Sequence, residues 1–436
     1  MSVVVAKFGG SSLADANQIL KMKNIVAADE KRRYVVPSAP GKRHSGDVKI
    51  TDLLYELHHK KNRDESGTLK KILDRFTEIR DALGLSIEIE KNIHEILDHL
   101  NKGASVDYAA SRGEYLNGLL IAELLGYDFI DAADVIFFNE NGVYDHEKTI
   151  EVFSEVLKKH EHAVIPGFYG SMPDGTIKTF SRGGSDITGS IVACAADAVL
   201  YENWTDVSGF LKADPRIVPN PKKIDVITYR ELRELSYMGA TVLHEDAIFP
   251  VLQVAIPISV KNTNDPGNTG TMIIPSLDKD SGAEDTITGI AGKKDFTVIT
   301  IEKNGMNTEI GFGRKVLSCL EKYNISFEHI PSGIDSLCVV IADCRIKGCS
   351  ESLINEIHKV CEPDSVEISN NMALIATVGR GMIRRVGISA KLFTALAQNG
   401  INVRMIDQGS SEMNIIVGVE NDDFEKAVRA IYDALI

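Results

Sequence analysis

Val3-Val4-Val5-Ala6-Lys7-Phe8-Gly9-Gly10-Ser11-Ser12 opens the chain with an apolar run that breaks at paired glycines, and a helical pattern with Ile19, Leu20 and Ile25 follows. A buried strand that turns through glycines into a helix is the entry to a sheet covered by helices. Further along, Tyr34-Val35-Val36, Asp134-Val135-Ile136-Phe137, Ala163-Val164-Ile165 and Ala198-Val199-Leu200 read as more buried strands. Amphipathic segments such as Leu116 to Leu125 and Ile191 to Ala196 lie between them. The alternation predicts an α/β domain with a mostly parallel sheet sandwiched by helices. Ligands of such sheets sit beyond the C-terminal ends of the strands, in the loops that enter helices.

The 436 residues allow roughly three domains of ordinary size. Lys plus Arg is 48 and Asp plus Glu is 62, so the net charge is −14. That balance argues against nucleic-acid binding, which needs surplus cations facing phosphates. Six cysteines make no disulfide framework and point to a reducing compartment. The opening apolar run is too short for a signal peptide, and no stretch reaches the roughly 18 apolar residues of a membrane span. The expectation is a cytoplasmic protein without membrane partners.

Past residue 262 the character changes. Asn264-Asp265-Pro266-Gly267-Asn268-Thr269-Gly270 is a turn cluster, and Ser276 to Glu284 is polar and acidic. Beyond it an internal repeat emerges. A gapless shift of 76 places Val298-Ile299-Thr300-Ile301 on Leu374-Ile375-Ala376-Thr377, Gly305-Met306 on Gly381-Met382, Gly311 on Gly387 and Gly333 on Gly409. Each copy reads as strand, Gly-containing loop, amphipathic helix and strand, that is, a small α+β module. The expected organisation is a large domain over 1–280 and modules over 295–365 and 370–436.

Chemistry is sought in the loops. Gly9 and Gly10 let backbone N–H groups approach an anion beside a helix N-terminus, and Lys7 adds a point charge for phosphoryl oxygens. The same hexapeptide also fits a plain tight turn, and its spacing is not that of a Walker A loop. In Ser181-Arg182-Gly183-Gly184-Ser185-Asp186, Arg182 can grip a carboxylate with two parallel hydrogen bonds, and Ser185 or Asp186 opens a helix. Asp186 then pairs with a substrate ammonium, with Lys7 or with a metal. Glu114, in Ser111-Arg112-Gly113-Glu114, is placed at the start of a helix, where on the residues alone it reads as a solvated first-turn carboxylate. Ser38, at the end of the second strand, and Thr51 read on the residues alone as simple caps. His160-Glu161-His162 and the Cys344/Cys349 pair read as ordinary surface features, so no protein metal site is expected.

Lys7-Phe8-Gly9-Gly10-Ser11-Ser12, Ser181 to Asp186, Trp204-Thr205-Asp206-Val207-Ser208-Gly209 with Lys212-Ala213-Asp214-Pro215-Arg216, and Asp407 to Ile415 occur in the order of the aspartate kinases. Over essentially its whole length the sequence resembles that family of the amino acid kinase superfamily, with two C-terminal ACT modules of ferredoxin-like fold. The resemblance implies ATP-dependent phosphorylation of the β-carboxylate of L-aspartate, with Mg²⁺ accompanying ATP. It places this step first in lysine, threonine and methionine biosynthesis. It makes Lys7 and Asp186 catalytic. It assigns aspartate to Ser38, Thr51, Glu114, Arg182, Gly183, Gly184 and Ser185, and ATP to Lys7, Gly9, Gly10, Ser11, Thr205, Asp206, Lys212, Arg216 and the position of Thr241.

Thr241-Val242-Leu243-His244-Glu245 departs from the family's Lys-Val-Leu-His-Pro, so Thr241 stands where a phosphate-binding lysine is usual. Paired ACT modules imply an amino-acid effector, lysine or threonine, held near Met306, Asn307, Gly311 and Ser332. They also imply a homodimer or homotetramer assembled through the modules. No appended dehydrogenase domain is read. The competing expectation is a kinase-like sensor that has lost phosphotransfer with the missing lysine. The chemistry needs no general base: with a side-chain pKa of about 3.9, the aspartate carboxylate is already an anionic nucleophile.

Overall fold

The computed structural model describes residues 2–63, 67–181, 183–239, 249–276 and 286–436, and two compact units emerge. The first comprises Met1–Phe210, Lys223–Leu232 and Thr241–Lys279; the second comprises Leu211–Lys222, Arg233–Ala240 and Asp280–Ile436. Arg182, Thr241 and the acidic stretch 277–285 lie outside the described residues.

Strands of the first unit are β1 (Val4–Phe8), β2 (Arg32–Pro37), β3 (Asp128–Phe129), β4 (Ala163–Val164), β5 (Tyr169–Ser171), β6 (Ile177–Thr179), β7 (Leu200–Thr205), β8 (Val226–Thr228), β9 (Ile258–Asn262) and β10 (Thr271–Ile274). Eight of them form one sheet in the order β3-β4-β2-β1-β7-β9-β10-β8, parallel throughout except at β9–β10. Strands β5 and β6 form a separate hairpin. Helices α1 (Ala16–Ala27), α2 (Ile50–His59), α3 (Gly67–Leu83), α4 (Ile89–Asn101), α5 (Val106–Leu125), α6 (Ala132–Val135), α7 (His146–Leu157) and α8 (Gly184–Ala195) intervene. Helix α1 shows the logic. Asp15 caps it by accepting from the Gln18 N–H at 2.9 Å, and Ile19, Met22, Ile25 and Val26 recur at helical spacing to enter the core.

The alternating α/β reading holds, with two corrections. The expected strand Asp134–Phe137 begins as helix α6 instead, because the Asp131 side chain accepts from the Ala133 N–H at 3.0 Å and caps a single turn there. The strand expected over Ala198–Leu200 starts at its last residue, since the chain is still turning at Asp197, whose φ is 47°.

Between β9 and β10 the turn is closed by Gly270, at φ 66°, where a Cβ would lie 1.9 Å from the Val260 carbonyl oxygen. Gly270→Ala is expected to cost about 2–3 kcal/mol of stability, read as a lowered melting temperature.

In the second unit β11 (Gly289–Glu302), β12 (Ser336–Ala342), β13 (Ser365–Val378), β14 (Met405–Asp407) and β15 (Asn414–Glu420) form an antiparallel sheet ordered β12-β11-β13-β15-β14. The 76-residue shift carries β11 onto β13 end for end. It also carries the helix Phe312–Lys322 onto Ile388–Gln398, with Gly311 (φ 86°) and Gly387 (φ 93°) as left-handed caps. The two long strands run through both copies. Their β-bulges fall between Lys293 and Val298, near the positive-φ residues Asp295 and Asn371. One hydrophobic cluster fills each copy. That of the second takes in Ala213 and Val218 from the segment Leu211–Lys222, which is also tied down by Lys222 N–H donating to Tyr432 Oη at 2.8 Å. Among the described residues no helix is long and apolar enough to cross a membrane.

Candidate active site

Strands β1 and β7 are parallel neighbours that place Lys7 and Asn203 opposite one another, so both side chains leave the same face of the sheet. Above them starts α8, entered through Gly183 in the left-handed region at φ 61°. Its first turn delivers Asp186. The Lys7 Nζ lies 2.5 Å from Asp186 Oδ1, and Asn203 Nδ2 donates to the same oxygen at 3.0 Å. Lys7 Nζ also reaches Asn203 Oδ1 at 3.4 Å, and Tyr201 Oη donates to the Asp186 backbone carbonyl at 3.2 Å. The Lys7 and Asp186 side chains keep only 8% and 15% of their surface in contact with solvent. An ammonium held by one carboxylate and one amide has a third N–H to offer, in a poorly screened setting. Of the three partners weighed for Asp186, the structure supplies Lys7.

Beside this cluster runs the Gly9–Ser12 turn. Gly9 N–H donates to the Trp204 carbonyl at 2.9 Å, and Gly10–Leu13 forms a 3₁₀ turn. Ser11 is half-buried on it, whereas Ser12 is buried and accepts from Thr263 Oγ1 at 2.8 Å. Gly10 is required by packing: a Cβ there would lie 2.9 Å from the Ala39 carbonyl oxygen. Thr205 follows Trp204 at the end of β7, with its hydroxyl on the exposed Asp206 at 3.2 Å. Lys212 and Arg216 belong to the second unit. There Lys212 is buried with Nζ on the Ile287 carbonyl at 3.3 Å, and Arg216 is exposed and paired with Asp214 at 2.6 Å.

The segment after β2 approaches from the other side. Ser38 is half-buried, with its N–H on the Phe8 carbonyl at 3.0 Å, and Thr51 is half-buried in the first turn of α2. Lys49 is the N-cap there, so Thr51 is not. The expectation that Glu114 starts a helix is corrected. It is the ninth residue of α5, which Ser105 caps, and it is 5% exposed. Its Oε2 has no hydrogen-bond partner. Burial pushes its carboxyl up to about 8, against the opposing pull of the Ala39 amide and the Arg112 charge. A carboxyl group in the middle of a helix, buried and with one oxygen lacking a hydrogen-bond partner, is no solvated first-turn glutamate.

Several contributors were not singled out from sequence. Asn117, one turn after Glu114 and fully buried, donates Nδ2 to the Ser38 carbonyl at 2.7 Å. Arg112 lies over the rings of Tyr108, Tyr115 and Tyr169 at 4.6, 4.5 and 5.0 Å. Asn203 and Tyr201 complete the Lys7 cluster. The one available signal was a polar Glu202-Asn203 pair inside an otherwise apolar strand. Ser185 is half-buried and packed so closely on Gly167 that a Cβ there would lie 2.7 Å from its own Cβ. Gly184 meets the Phe168 ring.

Among the described residues no three His, Cys, Asp or Glu side chains converge as a metal would require. His160 instead pairs with Asp128 at 2.7 Å. In the second unit Met306 is buried in a 3₁₀ turn, Asn307 and Ser332 are exposed, and Gly311 caps its helix.

The amino acid kinase family model matches residues 2–262, and an ACT domain model matches residues 375–435. Aspartokinase 3 of Bacillus subtilis is 37% identical over 98% of this chain and 97% of its own. The crystal structure of the Clostridium acetobutylicum aspartate kinase superposes with a TM-score of 0.90 at 56% identity, covering all of both chains. Escherichia coli aspartokinase III, solved with aspartate and ADP, gives 0.79 at 28% identity over 99% of each chain. The same protein solved with lysine and aspartate gives 0.74 at 27%, over all of this chain and 99% of that one.

Proposed function

We propose, for a chain that belongs to the amino acid kinase family and within it to the aspartokinases, that this enzyme moves the γ-phosphoryl group of ATP to the β-carboxylate of L-aspartate. A carboxylate oxygen attacks the γ-phosphorus, the bond to the β,γ-bridging oxygen breaks, and 4-phospho-L-aspartate and ADP leave. The observation that carries the reading is the Lys7–Asp186–Asn203 cluster beside the Gly9–Ser12 turn.

Two anions must be brought together, so the work is positioning and charge neutralisation rather than proton transfer. Lys7 meets the transferring phosphoryl group, and Asp186 with Asn203 holds the Lys7 ammonium in place. Backbone N–H groups of Gly9, Gly10 and Ser11 receive phosphate oxygens, and Thr205 and Asp206 border the nucleotide. Mg²⁺ arrives as part of the substrate, coordinated by the phosphates. Glu114 takes the α-ammonium of aspartate and Arg182 its α-carboxylate, with Ser38, Thr51, Gly183, Gly184 and Ser185 around them.

The finer assignments are that the reaction opens lysine, threonine and methionine biosynthesis in the cytoplasm, and that the ACT modules carry feedback. Lysine is the favoured effector, because it accompanies aspartate in the Escherichia coli relative. It would act near Met306, Asn307, Gly311 and Ser332 in a dimer or tetramer. Inhibition then follows if lysine binds a less active state more tightly. Thr241, in place of the usual lysine, is what favours the alternative of a sensor without phosphotransfer.

An ADP-release assay separates the two. Turnover that requires aspartate and falls on adding lysine is expected. Nucleotide binding without aspartate-dependent ADP would establish the sensor, and inhibition by threonine alone would reassign the effector.

A further inference from the structure

The two sides of the site meet at a pair of glycines. Gly41 N–H donates to the Gly10 carbonyl at 2.8 Å, and a Cβ on Gly41 would lie 2.6 Å from the Gly10 carbonyl carbon and oxygen. Nothing larger than hydrogen fits between the turn that carries Gly9–Ser12 and the segment from Ser38 to Thr51. Their backbone contact fixes how far apart the two groups of ligand-binding candidates stand.

That contact is held from outside the site. Arg75 on α3 is 4% exposed and donates Nη1 to the Gly41 carbonyl at 3.0 Å and Nη2 to Asp47 Oδ2 at 2.5 Å. Its guanidinium thus bridges two points six residues apart on one loop, and Nη1 also lies 3.5 Å from the Ala14 carbonyl just past the glycine turn. Asp47 is gripped again by Arg43 Nε at 3.0 Å, while Arg43 Nη1 reaches Glu78 of α3 at 2.9 Å. Burial would raise the Asp47 carboxyl, but the Arg43 hydrogen bonds and the Arg75 charge hold it well below the usual range. Arg43 is one-third exposed and belongs to the rim, whereas Arg75 bonds both the Gly41 carbonyl and Asp47.

We propose that Arg75 is a positioning residue for phosphoryl transfer: by clamping Gly41 and Asp47 it fixes the Ser38–Asp47 loop against the Gly9–Ser12 turn and so sets the approach of acceptor to phosphate. This rests on the kinase reading above. A planar fork is needed, because one ammonium cannot serve a carbonyl and a carboxylate with the same fixed geometry. The hydrogen bonds of Arg75 go to Ala14, Gly41 and Asp47, none of them a ligand-binding candidate. The loss therefore falls on the alignment of the reacting atoms, to which rates are steeply sensitive.

The test compares Arg75→Lys, which keeps the charge, with Arg43→Gln, which weakens the grip on Asp47 but leaves Gly41 untouched. Arg75→Lys is expected to lower kcat on the order of 10–100-fold, with KM for aspartate and for MgATP within about threefold of the original. Arg43→Gln is expected to leave kcat within about twofold. Hydrogen exchange at the Gly41 amide should quicken in Arg75→Lys and stay slow in Arg43→Gln. The inference is overturned if the folded Arg75→Lys enzyme keeps its kcat, if both variants slow alike, or if Gly41 exchange does not change. Should the unsubstituted enzyme show no aspartate-dependent turnover, the kinase reading falls instead, and the exchange comparison still decides whether Arg75 clamps the glycine contact.

Discussion

Lys7→Met is expected to cut aspartate-dependent ADP formation on the order of a thousandfold while leaving a folded protein. The transferring phosphoryl group carries charge on its equatorial oxygens, and an ammonium in a nearly dry cleft stabilises that charge far better than water can. Methionine matches the length of the lysine stem and removes only the charge. Among the described residues, the substitution leaves Asp186 with the Asn203 amide at 3.0 Å as its remaining side-chain partner. Stability therefore drops, by less than the roughly 3–5 kcal/mol seen when a fully buried pair is broken, since Asp186 retains some solvent. Steady-state kinetics with a thermal melt on the same sample separates lost catalysis from lost fold. Turnover within tenfold of the original, in a folded Lys7→Met enzyme, would remove Lys7 from the chemistry.

Glu114→Gln is expected to raise KM for aspartate on the order of a hundredfold and to flatten its pH dependence. With its carboxyl pushed up to about 8 by burial, Glu114 in the empty site is protonated at neutral pH. The α-ammonium of aspartate needs the carboxylate, so binding must release that proton. In the unsubstituted enzyme KM for aspartate should therefore fall as pH rises from 6 towards 8, and level off beyond. The stability of the empty enzyme runs the other way. The folded value, about 8, lies above the ordinary 4.5, so the folded state holds the extra proton between them. The stability this contributes is complete below 4.5 and is lost as pH rises through about 8. Melting curves should show the enzyme losing ground to Glu114→Gln across that window. A KM that is flat in both proteins would mean that Glu114 does not bind the ammonium.

How much of this could be read from the residues alone follows from the range of each interaction. The 76-residue repeat was legible because its glycines do local work: Gly311 and Gly387 both cap helices in the left-handed region, where other residues are strained. The strand-to-helix loops were legible for the same reason. Glu114 was misplaced along its helix because Ala109, Ala110 and Gly113 are small where an apolar stripe is sought, and the helix in truth begins at the Ser105 cap. Only the fold shows why they are small: a Cβ on Gly113 would lie 2.8 Å from that of Ala39. Asn203, Asn117 and Arg75 act across 17, 79 and 34 residues of sequence, on Asp186, Ser38 and Gly41. No local pattern marks such pairs. The expected strand at Asp134 failed because one capping aspartate outweighed a β-branched run.

The transfer proposed at the Lys7–Asp186 cluster puts phosphate on a carboxylate. It is tested most directly by trapping the product: the enzyme is run with MgATP, aspartate and hydroxylamine, and β-aspartyl hydroxamate is counted against ADP. One hydroxamate per ADP is expected, and neither product above background from Lys7→Met. ADP without hydroxamate, or equal yields from both proteins, would contradict it.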